Sequence, residues 1–232
     1  MMLNHIFKSR CRLRSLYTER IVDLQGLARY NGRGRGWIEH KMMPRIYIDK
    51  RYFNDKKARW VSFEDTQGLK ETKKDIYGKC VPCITNLYEQ LKDGKTNVDL
   101  GPALKCWKVV AVLDSMEECV DLLSELEKLL NDDIKVKGRF GSVDDTKTTK
   151  VIVFNVSGEL QRKKLYEILQ DCSKRINPRA EITYHRGCVE LYHELFGDWR
   201  TWKKTTVVRK PEAIQPIIQR IRKVLFWDKA TQ

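Results

Sequence analysis

The chain has 232 residues, with 45 Lys and Arg against 31 Asp and Glu, a net charge of +14 and an isoelectric point near 9.5. That length allows one large domain or two small ones and a sizeable core, and the positive surplus favours anionic partners such as nucleic acid or an anionic membrane surface. No window approaches the ~18 consecutive apolar residues that a spanning helix needs, which excludes membrane insertion at this level.

Residues 1–43 stand apart. They hold seven Arg and two Lys, whereas residues 44–232 hold twelve Arg and twenty-four Lys, and their only acids are Glu19, Asp23 and Glu39. Three expectations stay open for this basic arm or leader, disorder among its properties. It is an arm that orders on nucleic acid, an organellar transit peptide, or a leader ahead of a start at Met42 or Met43. No secretory signal is expected, because residues 1–20 lack an adequate apolar stretch. Asn31–Gly36 is flexible and basic but too short for an RNA signature.

Residues 44–100 read as a small α+β region. A strand pair, Arg45–Asp49 with Arg59–Phe63, places Tyr52, Phe53, Trp60 and Phe63 among basic residues. Such aromatics suit base stacking but are expected in the core on burial tendencies. Next comes Cys80-Val-Pro-Cys83 at a helix start, where the helix N-terminus lowers the pKa of the first thiol. The spacing resembles a thioredoxin-type dithiol, with Pro82 just before the second cysteine. It departs from that family because no strand leads into Cys80 and no βαβ unit surrounds it. Zinc needs two further ligands, and no second CxxC or HxxxH supplies them. Cys11, Cys106 or a histidine would have to approach in three dimensions. Cys80 and Cys83 are therefore expected as structural thiols, and only secondarily as metal ligands, with no cofactor. Gly94 and Gly101-Pro102 bracket an expected linker.

Residues 101–232 centre on the stretch Trp107–Tyr184, whose order is strand, helix, strand, strand, helix, strand. Lys108–Leu113 is apolar on both pleat faces, as expected of a central strand covered on both sides. Ser115 and Glu118 form a capping box for a helix carrying Met116, Val120, Leu123, Leu126 and Leu130. Ile134–Phe140 alternates, with Lys135, Lys137 and Arg139 opposite Ile134, Val136 and Phe140. After the polar turn 141–150, Val151–Val156 is again apolar throughout. Ser157 is expected to cap a second helix with Leu160, Leu165, Ile168, Leu169, Cys172 and Ile176 on one side. Asn177-Pro178 ends it, and Glu181–Tyr184 is the fourth strand. Right-handed crossovers put the first and third strands in the middle and the other two at the edges. The expected fold is α+β, a ferredoxin-like βαββαβ domain with further αβ elements at both ends. Another layer is expected over the sheet: residues 45–95, a second copy of the chain or another protein, or the C-terminal helix.

His185-Arg-Gly-Cys188 leads into a helix, Val189–Phe196. Cys188 and His193 do not share a helix face, so Cys188 is expected to pack inside rather than act as a nucleophile. Trp199 and Trp202 are expected as packing anchors. A strand at Thr205–Arg209 precedes a helix opened by Pro211, whose apolar face is Ile214, Ile217, Ile218, Ile221, Val224 and Leu225. Lys203, Lys204, Arg209, Lys210, Arg220, Arg222 and Lys223 fall within this tail, interrupted by one acid, Glu212. Cations near a helix C-terminus also complement its dipole, so a solvated face is the competing explanation. Seven cysteines, four of them (Cys106, Cys119, Cys172, Cys188) in or beside regular elements, indicate reduced thiols in a cytoplasmic protein rather than a disulfide framework.

Three functions compete. A non-catalytic nucleic-acid-binding protein, or a subunit of a nucleoprotein assembly, accounts for the charge, with RNA preferred to DNA and the seven tail cations as its site. RRM domains share the βαββαβ order but display aromatics on their central strands. Here Val110, Val112, Ile152 and Val153 stand there with only Phe154, and Lys137-Gly-Arg-Phe-Gly141 is similar to RNP1 on the wrong strand. ACT-type regulatory domains share the order too and bind ligands near the first strand–helix turn, here Asp114-Ser115-Met116, which lacks their glycine. A CxxC thiol-redox or zinc protein is the third.

Overall fold

The computed structural model describes residues 21–23, 46–49, 60–72, 75–76, 79–130, 134–142 and 149–226. Tyr52, Phe53, Cys11 and the Gly-Arg stretch lie outside the described residues, as does most of 1–43. The strands are β1 (Ile21–Asp23), β2 (Tyr47–Asp49), β3 (Trp60–Glu64), β4 (Asp75–Ile76), β5 (Lys79–Cys80), β6 (Asn97–Asp99), β7 (Cys106–Leu113), β8 (Lys137–Gly141), β9 (Lys150–Ser157), β10 (Glu181–Arg186) and β11 (Thr205–Val207). The helices are α1 (Val81–Lys92), α2 (Met116–Leu129), α3 (Glu159–Ile176), α4 (Val189–Phe196) and α5 (Ile214–Leu225).

The protein is mixed α+β. Seven strands form one sheet in the order β1-β2-β3-β8-β9-β7-β10, beside the two-stranded ladders β11-β6 and β4-β5. The pairs β1/β2, β2/β3 and β3/β8 are antiparallel. The first and third strands of the central stretch, β7 and β9, are interior as expected. The second, β8, is not an edge: Trp60–Glu64 pairs along its whole length, from Trp60↔Gly141 to Glu64↔Lys137. Tyr47–Asp49 and Trp60–Glu64 thus lengthen the sheet as strands and do not form a layer over it. Within the Arg-rich stretch, Ile21–Asp23 pairs with Tyr47–Asp49.

Two compact units divide the chain. One comprises Met1–Thr72, Val112–Ile152 and Cys172–Ala180; the other Lys73–Ala111, Val153–Asp171 and Glu181–Gln232. In the first, Ile46, Ile48, Val61, Phe63, Leu122, Leu123, Leu126, Val136 and Phe140 are buried, with the Phe63 and Phe140 rings 6.3 Å apart. The expectation that Phe63 is a core aromatic holds; Trp60 is only half-buried.

The capping box forms with one change of partner. The Glu118 amide donates to Ser115 Oγ at 3.1 Å, while Glu118 Oε2 accepts from the Asp114 amide, one residue before the cap. The expectation for the second helix needs correcting at its start. Ser157 is the last residue of β9, and Gly158, at φ +87°, makes the turn. Its carbonyl accepts the Arg162 amide and its own amide reaches Lys105 O at 2.7 Å. Leu165, Leu169 and Cys172 are buried as expected, but Leu160, five residues before Leu165, is 68% exposed, while Arg162, three residues before it, is only 9% exposed.

In the second unit the core gathers Cys83, Ile84, Leu87 and Leu91 of α1, Leu191, Tyr192, Leu195 and Phe196 of α4, and Ile217 and Ile221 of α5. The expected linker is part of this core. Val98, Leu100 and Ala103 are buried, β6 pairs with β11 from Asn97↔Val207 to Asp99↔Thr205, and the Gln90 side chain bonds both the amide and carbonyl of Asp99 at 2.8 Å. Alternation of Val98 and Leu100 is a strand signal that the flanking glycines obscure. The strand near Thr205 is shorter than expected, and Pro211–Ala213 is a 3₁₀ turn ahead of α5.

Coverage of the middle strands is uneven. Along β7 Trp107, Val109, Ala111 and Leu113 are buried while Lys108, Val110 and Val112 are half-buried. The composition is apolar on both faces, but only one is fully packed.

Candidate functional site

The cationic tail belongs to the second unit and is held by apolar anchors. Trp202, Val208, Ile217 and Ile221 are buried, and Trp202 packs against Tyr192 and Phe196 with ring centroids 5.6 and 6.3 Å apart. All seven cations are exposed. Lys203 and Lys204 lie in the turn before β11. The Lys203 amide and carbonyl both bond Thr206 Oγ1, and the Lys204 carbonyl accepts from Leu100. Arg209 and Arg220 both reach the end of α4. The Arg209 amide donates to Leu195 O at 2.8 Å and its guanidinium to Thr201 Oγ1 at 3.2 Å, while Arg220 is ion-paired with Glu194. Arg222 and Lys223 stand in the last turn of α5. Phe226, 44% exposed, follows them with its ring edge-on to Tyr88 at 5.5 Å.

The cysteines are arranged in a way that spacing did not reveal. Cys80 flanks the N-terminus of α1 and Cys83 sits in its first turn; contrary to expectation a strand does lead into Cys80, since β5 pairs antiparallel with β4. Cys188 flanks the N-terminus of α4 with φ +53° and ψ 14°, in the left-handed region. Cys106 opens β7. Gly187 fits against it, donating its amide to Cys106 O at 2.8 Å. The Cys83 thiol lies within hydrogen-bonding reach of the Cys106, Cys188 and Cys80 thiols, which together with burial push it well above its ordinary pKa. Tyr192 ties the group together: its hydroxyl donates to Cys83 O and its amide to Cys188 O, both at 3.1 Å. No disulfide joins the six described cysteines, and Cys188 is buried as expected.

A third cluster escaped sequence reasoning altogether. The buried Arg162 lies over the rings of Tyr184 at 4.0 Å and Trp107 at 5.2 Å, and its Nε donates to Glu159 Oε1 at 3.0 Å. Arg186 covers Trp107 at 3.7 Å and donates to the Leu104 carbonyl; burial lowers its pKa. Trp199 and Tyr166 meet these rings edge-on. With its cations stacked on rings and bonded internally, this cluster is packing.

At the Asp114 turn the polar groups satisfy one another. Asn177 Nδ2 donates to Asp114 Oδ2 at 2.8 Å and Glu118 Oε2 at 3.1 Å, and Arg179 pairs with Asp114 at 2.7 Å. Among the described residues no helix is long and apolar enough to cross a membrane. No protein-family model, curated protein or solved structure matches the chain.

Proposed function

We propose that the chain is a non-catalytic nucleic-acid-binding protein, directed to RNA, that works in the cytoplasm within a nucleoprotein assembly and binds through its C-terminal segment. One observation carries this: the cations of residues 203–223 are exposed on a segment anchored by the buried Trp202, Val208, Ile217 and Ile221. Anchoring keeps the charges on a fixed surface, so less entropy is lost when phosphates meet them. Glu194 occupies Arg220, which leaves Lys203, Lys204, Lys210, Arg222 and Lys223 as the principal phosphate contacts, with Arg209 restrained by Thr201. Phe226 beside Arg222 and Lys223 suits stacking on an unpaired base, which favours single-stranded RNA.

We infer further that residues 107–184 adopt a ferredoxin-like arrangement. The strand order β8-β9-β7-β10, with α2 after β7 and α3 after β9, supports it.

The test is fluorescence anisotropy of labelled single-stranded RNA, single-stranded DNA and duplex DNA titrated with the full chain at low salt. Binding, tightest to single-stranded RNA, is expected. Absence of binding to all three overturns the proposal and leaves the charge as a solvated surface.

A further inference from the structure

We propose that Cys80, Cys83, Cys106 and Cys188 bind one zinc ion as four thiolates. The four come from three places in the chain: the CxxC at the start of α1, the first residue of β7 and the residue flanking α4. All belong to the same unit. A CxxC supplies two ligands from one turn; the other half of a structural zinc site must come from elsewhere in the fold. Here the contact of Gly187 with Cys106 performs that task. A methyl group at Gly187 would stand 2.9 Å from the Cys106 Cβ, so only glycine lets the residue before Cys188 approach this closely.

Local backbone geometry points the same way. Cys188 is in the left-handed region, which costs a residue with a Cβ about 1–2 kcal/mol. Such strain persists where surrounding structure over-determines it, often at a ligand site. Cys80 and Cys188 both flank helix N-termini, where the dipole favours negative charge. Neither side chain caps its helix.

The donor set defines the ion. Four sulfurs without a carboxylate select a soft or borderline metal over magnesium, calcium or manganese, and tetrahedral S₄ is a zinc or iron–sulfur geometry. Binding is Zn²⁺ + 4 RSH → Zn(SR)₄²⁻ + 4 H⁺, with no change of oxidation state. Arg186, whose guanidinium donates to the carbonyl of Leu104, two residues before Cys106, offsets part of the resulting negative charge. Among the described residues no three or more His, Cys, Asp or Glu side chains are placed to hold a metal ion, so binding requires the four thiols to rotate onto it.

The experiment is titration of the reduced full chain with Co²⁺, followed by displacement with Zn²⁺ and elemental analysis of the product. The expected results are the d–d and sulfur-to-metal absorption of a tetrahedral cobalt tetrathiolate, its loss on adding Zn²⁺, and about one zinc per chain. Cys106→Ser and Cys188→Ser should each lose the tetrathiolate spectrum, while Cys119→Ser and Cys172→Ser, at buried thiols outside the group, should keep it. The wild-type titration needs no variant to fold. A folded wild-type chain that gives no tetrahedral cobalt spectrum overturns the proposal. So does retention of the spectrum in both ligand variants. Acid-labile sulfide and iron in the purified protein, or a Cys80–Cys83 disulfide that Zn²⁺ fails to prevent, would also overturn it.

Discussion

The Gly187 amide donates to the Cys106 carbonyl at 2.8 Å, and a Cβ at Gly187 would stand 2.9 Å from the Cys106 Cβ. The obstruction is the root of a strand side chain, which cannot swing aside like the far end of a lysine. Gly187→Ala should therefore destabilise the fold by about 1–3 kcal/mol, the usual range for overpacking. Urea denaturation monitored by tryptophan fluorescence measures it. A change within ~0.5 kcal/mol, typical of an unobstructed surface site, would show that the approach is looser.

Arg162 and Leu160 reverse the roles that their residue types suggest. Arg162→Ala removes a buried cation from two rings and leaves Glu159 without that partner, and it should cost about 2–3 kcal/mol. Leu160→Ala acts on a side chain 68% exposed and should stay within ~0.5 kcal/mol. The same denaturation experiment ranks them, and the opposite order would place Leu160 in the core.

This pair also shows what was legible in the sequence. Strand and helix order, the Ser115–Glu118 cap and the Asn177-Pro178 stop could be read because each depends on neighbours within four residues. The phase of α3 was legible from Leu165, Leu169 and Cys172, but the burial of Arg162 in their row was not, because it depends on the rings of Tyr184 in β10 and Trp107 in β7. β8 read as an edge because its partner β3 lies more than seventy residues earlier. The seven cations of the tail were legible as a run of charge, but the pairing of Arg220 with Glu194 depends on packing between α5 and α4. Likewise the CxxC was visible and Cys106 was one of the companions considered for it, but Cys188 was not, because it shares no spacing pattern with them and the Gly187 contact brings it beside Cys106.

His185 gives the fold a dependence on pH. Burial lowers its pKa below the ordinary 6.5, opposed by the hydrogen bond from Nδ1 to the Arg186 carbonyl; Lys108 lowers it further and Glu190 raises it. A lowered folded value means that the unfolded chain binds the proton first. Stability should be constant above 6.5 and fall as pH drops from there towards the folded pKa. Thermal melts between about pH 8 and pH 5 should show this fall, and His185→Gln should reduce it. An undiminished fall in the variant would assign it to other groups.

Salt dependence of RNA binding tests the proposed function most directly, because each phosphate contact releases counterions at about 0.7 units of log–log slope for single strands. Neutralising Lys203, Lys204, Arg222 and Lys223 to Gln should flatten the slope by roughly two to three units and weaken binding with little regard to sequence. The control is neutralisation of Lys135, Lys137 and Arg139. Of these, Lys137 lies 4.0 Å from Glu71 and Arg139 lies over Trp60 at 4.4 Å, so their loss should leave the slope nearly unchanged. An unchanged slope in the tail variant, or a larger drop in the control, would contradict the assignment of the site.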